Sequence, residues 1–173
     1  MEAFKSCLRR EPKQQTTAML DGIQFENMVQ AYCEGSPPPE NHKWREGVIA
    51  TGNIVKGGAY QAALSRDITV DGMDFVVYGK LDFLKAGTVY DTKYSTKYHV
   101  GKYLKSTQHS VYLFLCQSAL QFIYLACDGR WVYKERYTRD DCVDVERSIR
   151  EFVQFCDSAD LLDEYKKYWE SKY

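Results

Sequence analysis

Gly79-Lys80-Leu81-Asp82-Phe83-Leu84-Lys85-Ala86-Gly87-Thr88-Val89-Tyr90-Asp91-Thr92-Lys93-Tyr94 is the stretch on which the reading of this chain turns. Apolar and β-branched residues lie on both sides of Ala86-Gly87, a turn dipeptide, so the segment reads as two strands joined tightly. Side chains repeat every two residues along a strand, which puts Asp91 and Lys93 on one face. Asp82 lies near the end of the preceding strand. One edge of a hairpin therefore gathers two carboxylates and an ammonium.

Upstream, the runs Ala59 to Val70 and Asp74 to Leu84 flank the turn signal Asp71-Gly72. Gly47-Val48-Ile49-Ala50 reads as a further strand before Gly57-Gly58, so Val48 to Val89 predicts an antiparallel meander. Earlier still, Phe25, Met28, Val29 and Tyr32 recur at i, i+3, i+4 and i+7, the buried stripe of a helix beginning near Thr17. That helix ends at Gly35, and the prolines of Ser36-Pro37-Pro38-Pro39, with Glu40 to Arg45, predict an exposed loop. Met1 to Gln15 is a short helix or tail carrying Lys5, Arg9, Arg10 and Lys13; a basic arm reaching a phosphate backbone is the alternative.

Downstream, a Lys- and Tyr-rich connection leads to a helix over Ser106 to Ser118, with Val111, Phe114, Leu115 and Ser118 turned inward. Gln121 to Cys127 and Arg130 to Tyr137 flank Asp128-Gly129, a hairpin signal in which both turn positions favour positive φ. Ile149, Phe152, Val153 and Cys156 predict a C-terminal helix, followed by a shorter segment from Asp160. The expected fold class is α/β, with a mixed, largely antiparallel sheet flanked by helices. A single domain is expected over 1–173, with its core in 17–137 and C-terminal helices in 138–173.

The composition, 45% hydrophobic and 14% aromatic with 14 Tyr against 4 Pro, excludes a disordered chain. A formal charge of -1 supplies no global field for a polyanion, so contact with nucleic acid has to come from a local patch. No run approaches the length of a membrane span, and no apolar leader opens the sequence. The six cysteines are scattered without a CxxC pair, as expected for free thiols in a reducing cytoplasm.

Two carboxylates beside a lysine suit phosphodiester hydrolysis. Carboxylate oxygens hold hard cations such as Mg²⁺, which bind an activated water and neutralise charge growing on the phosphate. Lysine is an ammonium at neutral pH unless its pKa is depressed, so stabilising negative charge is the role expected of Lys93. Alone, an Asp-x-Lys on a strand is an ordinary surface ion pair, and Glu26 on the polar side of its helix is an ordinary solvated carboxylate.

The ordered set of motifs resembles the PD-(D/E)xK nuclease superfamily, and within it the RecB-like and lambda-exonuclease-like group of phage and bacterial recombination systems. Gly22-Ile23-Gln24-Phe25-Glu26 is similar to the family's first helical motif and Gly79-Lys80-Leu81-Asp82 to its second. Asp91-Thr92-Lys93 is similar to the signature, and Gln108-His109-Ser110-Val111-Tyr112 to the Gln/Tyr helix after it, where Gln108 and Tyr112 share a face. The resemblance spans Gly22 to Tyr112. It departs at Glu26, where many relatives have His, and at Leu81, where the family name has Pro. No cysteine spacing fits the iron–sulfur cluster that some of these nucleases carry.

The resemblance implies a restriction-endonuclease-like core and a divalent-metal-dependent DNA nuclease. Glu26, Asp82, Asp91 and the Thr92 carbonyl would be ligands for Mg²⁺, with Mn²⁺ able to substitute. Lys93 would be the catalytic lysine, and Gln108 and Tyr112 supports of the active site or substrate. An exonuclease of phage or bacterial recombination is implied, with DNA, a homo-oligomer and a recombination protein as partners. A structure-specific endonuclease and a non-catalytic DNA-binding protein on the same fold are the alternatives. Between Lys93 and Lys105 cations alternate with aromatics and hydroxyls, so Lys97, Tyr98, Lys102 and Lys105 are candidates for holding DNA. A solvated loop whose tyrosines serve the core is the other reading. His109, next to Gln108, is a candidate contact to the scissile phosphate.

Overall fold

The computed structural model describes residues 1–169. Its elements are α1 (Glu2–Leu8), α2 (Thr17–Cys33), α3 (Arg45–Val55), β1 (Ala59–Val70), β2 (Met73–Lys85), β3 (Thr88–Tyr94), α4 (Gln108–Leu115), β4 (Gln121–Cys127), β5 (Val132–Tyr137), a 3₁₀ turn (Arg139–Asp141), α5 (Val145–Ser158) and α6 (Leu162–Trp169). The fold is α/β, with a five-stranded mixed sheet in the order β1-β2-β3-β4-β5. β3 and β4 run parallel, while β2 with β3 and β4 with β5 are antiparallel. The parallel pair needs a crossover, which α4 and the long connection before it supply.

The chain falls into two compact units. The larger holds Thr16–Arg66 and Val77–Val143; the other groups Met1–Gln15 with Asp67–Val76 and the segment from Asp144 onward. In the smaller unit Leu8, Cys156 and Leu161 form the buried centre, with Phe4, Phe152 and Tyr165 packed around them. The Asp71-Gly72 turn has positive φ at both positions, 50° and 78°, matching the twist of the hairpin it closes.

Two hydrophobic clusters fill the larger unit, one on each face of the sheet. Phe25, Val29, Trp44 and Val48 from α2 and α3 meet Phe83, Leu125 and Cys127 on one face. Leu113 and Cys116, from α4 and its end, meet Val89, Phe122 and Tyr124 on the other. The predicted stripe of α2 holds, with Phe25 and Val29 buried and Met28 and Tyr32 packed against the cluster. Thr16 caps this helix by accepting from the Met19 amide.

Three expectations are corrected. Gly47-Val48-Ile49-Ala50 is not a strand; it lies in α3, whose buried residues Val48, Thr51, Gly52 and Val55 recur at helical spacing. Its β-branched composition misleads because packing against the sheet outweighs local propensity. Gly47 is required there. A Cβ on it would stand 2.4 Å from Cys127 Sγ and 2.7 Å from the Gly129 backbone, and its amide donates to the Gly129 carbonyl at 3.1 Å.

The β4–β5 connection is not a two-residue turn. Only Gly129 has positive φ, and the ladder ends at the Cys127–Val132 pair. Asp128 Oδ1 accepts from the Arg130 and Trp131 amides, so an aspartate side chain, not turn torsions alone, shapes a four-residue loop. Third, α4 is shorter than expected and rotated. His109, Ser110, Leu113 and Leu115 are its buried residues, while Val111 and Phe114 are only partly covered.

Candidate active site

The site forms where β2 leaves β3. The β2–β3 ladder runs from Lys85–Thr88 to Phe83–Tyr90. Leu81 and Phe83, two residues apart, pack into clusters on opposite faces, so β2 does not keep strict alternation across Asp82. The Asp82 carboxylate then does what the strand no longer does: Oδ2 accepts the Thr92 amide at 2.8 Å and the Thr92 hydroxyl at 3.3 Å. A side chain has taken over a backbone ladder bond, and that exchange brings Asp82 to Asp91.

Asp91 is fully buried. Gln108, from the start of α4, donates to its Oδ1 at 2.5 Å, and Lys93 Nζ stands 2.7 Å from its Oδ2. The latter is an ion-pair contact; no aligned hydrogen-bond donor reaches Oδ2. The strand geometry predicted for Asp91 and Lys93 is therefore present, and the structure brings Gln108 to Asp91 as well. Tyr112, one turn after Gln108, donates to the Lys80 carbonyl at 3.0 Å and braces α4 against β2. Gly79 makes this approach possible, since a Cβ there would lie 2.9 Å from the Tyr112 ring.

Glu26 comes from α2 and does not join the other two acids directly. Its Oε1 accepts the Tyr60 hydroxyl at 3.1 Å, and Gln61 in turn donates to the Tyr60 oxygen at 2.9 Å. Its charge nonetheless reaches both aspartates. Burial raises the Asp82 pKa first, then Asp91 and Glu26 raise it further, to about 7. Burial raises Asp91 as well, against the pull of Lys93 and Gln108. For Lys93, burial works toward deprotonation, but the negative charge of Asp91 beside it outweighs that, and the pKa moves up. Lys93 is an ammonium.

Among the described residues no three His, Cys, Asp or Glu side chains converge closely enough to enclose a metal ion. Mg²⁺ does not need such a cage: it keeps several waters and is commonly held by one or two carboxylates. The donor set fits a hard cation on that basis. Asp91 Oδ2 is a buried oxygen without an aligned donor, the Lys93 ammonium already stands beside it as a cation, and burial with the charges of Asp91 and Glu26 raises Asp82 to about 7.

The candidate DNA-holding residues divide. Lys97, Lys102 and Lys105 are exposed. Lys102 is committed to its own loop, donating to Ser95 Oγ at 2.5 Å and to the Lys97 carbonyl at 2.9 Å. Tyr98 stacks on Tyr133 with centroids 4.7 Å apart and donates to Glu135. His109 is a correction. It is buried, stacked on Tyr137 at 4.1 Å, and burial lowers its pKa, so it is a neutral core imidazole and not a phosphate contact. Neighbouring Gln108 in sequence did not place it beside Gln108 in space, because adjacent helix residues point about 100° apart.

Sequence reasoning missed Tyr60, Tyr103, Tyr124 and Glu135. No local spacing marks them; strand register marks Tyr124 and Glu135, while Tyr60 and Tyr103 come in through their contacts with Glu26 and Tyr124. Asp91 pairs with Tyr124 and Tyr124 with Glu135, a row across three strands on the face that α4 covers.

No family model matches this chain, and no curated protein matches it. A solved structure, the crystal structure of SSO0001, superposes with a TM-score of 0.49 at 15% sequence identity, covering 91% of this chain and 86% of that one.

Proposed function

We propose that this chain is a divalent-metal-dependent DNA nuclease with a PD-(D/E)xK, restriction-endonuclease-like core that hydrolyses phosphodiester bonds. The observation that carries the reading is the meeting of Asp82 and Asp91 where β2 and β3 part, with Lys93 2.7 Å from Asp91 and Asp82 pushed up to about 7. Two buried carboxylates that cannot both ionise cheaply are a site short of cationic charge.

Asp82, Asp91 and the Thr92 carbonyl would hold Mg²⁺ or Mn²⁺, with Glu26 as the adjoining carboxylate. When bound, such a cation polarises the phosphoryl group and lowers the pKa of its water. Lys93 contributes positive charge at the attacked phosphate; its raised pKa argues against a role as base. Gln108 fixes the Asp91 carboxylate by donating to Oδ1, and Tyr112 holds α4, and with it Gln108, against β2. Exposed Lys97 and Lys105 offer charge to the DNA backbone.

The family resemblance makes an exonuclease of phage or bacterial recombination the first form of this reading and a structure-specific endonuclease the second. The complete burial of Asp91 beneath Lys93 favours a further alternative, a non-catalytic DNA-binding protein on a nuclease fold. End-labelled linear duplex and closed circular DNA, incubated with the purified protein and Mg²⁺ or Mn²⁺, separate the three. Chelator and Asp91→Ala serve as controls. Metal-dependent loss of the linear substrate alone identifies an exonuclease, and cutting of circles an endonuclease. DNA bound but uncut under either metal refutes catalysis.

A further inference from the structure

The connection from Ser95 to Thr107 carries the cations just described and ends at Gln108, yet it contains no strand or α-helix. What fixes it is a carboxylate on another strand. Glu135 is 9% exposed, on β5. Its Oε2 accepts the Tyr98 hydroxyl at 3.1 Å; its Oε1 accepts the Tyr103 amide at 3.2 Å and the Tyr137 hydroxyl at 2.5 Å. Two of these three donors belong to the connection, one to its backbone. A buried carboxylate is tolerated only where its lone pairs are met, and here they are met by the loop.

The same row of residues ties this clasp to the acids. Tyr124 stands between Asp91 and Glu135 in the strand register; Tyr103 stacks on it with centroids 4.4 Å apart, and the Tyr124 hydroxyl donates to Ser106 Oγ at 3.0 Å. Ser106 Oγ accepts the Gln108 amide at 3.2 Å, and Gln108 holds Asp91. Glu135 lies two strand spacings from Asp91, about 10 Å, too far to touch a phosphate bound there.

We infer that Glu135 is a positioning residue: it clasps the Ser95–Thr107 connection through Tyr98 and Tyr103 and so holds Lys97 and Lys105 in place for a polynucleotide beside Asp82 and Asp91. The inference rests on the nuclease reading for its substrate, but not for the clasp itself. In Glu135→Ala three donors lose their acceptor and the connection loosens. In Glu135→Gln the amide oxygen keeps the Tyr103 N–H and Tyr137 O–H, and the Tyr98 hydroxyl turns round to accept from the new amide N–H.

The test measures amide hydrogen exchange and DNA cleavage kinetics on the full chain as wild type, Glu135→Ala, Glu135→Gln and Tyr98→Phe. Faster exchange confined to residues 97–106 in Glu135→Ala is expected. KM for DNA should rise about tenfold, the loss of one or two hydrogen bonds to a charged group, with kcat within about threefold. Glu135→Gln should restore both, and Tyr98→Phe should show part of the effect. Unchanged exchange in the connection overturns the inference, as does a fall in kcat at constant KM, or Gln behaving like Ala. Should Glu135→Ala fail to fold, Tyr98→Phe with wild-type exchange and KM overturns it. Wild type that neither binds nor cuts DNA refutes the nuclease reading alone; exchange in the connection then decides the clasp.

Discussion

Asp82→Asn should stabilise the metal-free protein at alkaline pH and leave it unchanged at acid pH. The Asp82 carboxyl is raised from 3.8 to about 7, by burial first and by Asp91 and Glu26 next. In the unfolded chain it ionises near its ordinary value, while in the fold it keeps its proton until near pH 7. The folded state therefore binds the extra proton in that interval, and the stability this contributes is complete below about pH 4 and lost as pH rises through 7. At 1.36 kcal/mol per pH unit the whole displacement corresponds to ~4 kcal/mol. Partial access of water and sharing of the proton with Asp91 bring the expected gain of the variant at pH 8 to ~2 kcal/mol. An asparagine oxygen still accepts the Thr92 amide that Asp82 now accepts, so the strand junction survives. For a chain of this size the gain is a rise of roughly 4–8 °C in Tm. Thermal melts in chelator between pH 4 and pH 8 read it directly, and adding Mg²⁺ should raise the wild-type Tm at pH 8 but not that of the variant. A variant less stable than wild type at pH 8, or a difference that stays constant down to pH 4, would refute the electrostatic reasoning.

Lys93→Met leaves the Asp91 carboxylate buried without its cation and should cost ~3–5 kcal/mol at neutral pH. Most of that should return in the Lys93→Met/Asp91→Asn double variant, a coupling that urea melts of the full cycle measure. Gly47→Ala drives a methyl into Cys127 Sγ and the Gly129 backbone, neither of which is a flexible end, and should destabilise by ~3 kcal/mol in the same assay. Joint replacement of Lys97 and Lys105 by Ala should weaken DNA binding without changing the fold. The slope of log affinity against log salt should become shallower by about 2, as expected for two lost phosphate contacts, and an unchanged slope would remove the connection from the DNA-binding surface.

How far the residues alone reach differs from element to element. The α2 stripe, the β1–β2 turn at Asp71-Gly72 and the same-face pairing of Asp91 with Lys93 follow from periodicity and from the torsions that Gly permits, all set by neighbours in the chain. Gln108 was singled out by the order of motifs and not by periodicity, and its bond to Asp91 emerged only in the fold. Local sequence also set the limits of that reading. Val48 and Ile49 are as suited to a strand as to a helix, and only the sheet beneath them makes Arg45–Val55 helical. His109 follows Gln108 in the chain but is turned into the core.

Sequence by itself determined the buried stripe of α2, the tight turns at Asp71-Gly72 and Ala86-Gly87, and that two carboxylates and a lysine would share one hairpin. Tertiary structure decided the rest: the parting of β2 from β3 at Asp82, the registers that line up Asp91, Tyr124 and Glu135 across β3, β4 and β5, the burial that raises Asp82 and the Asp91 charge that keeps Lys93 an ammonium. Alternation and turn torsions are fixed by covalent geometry over a few residues, whereas register, burial and the field at a carboxylate arise from segments dozens of residues apart brought into contact.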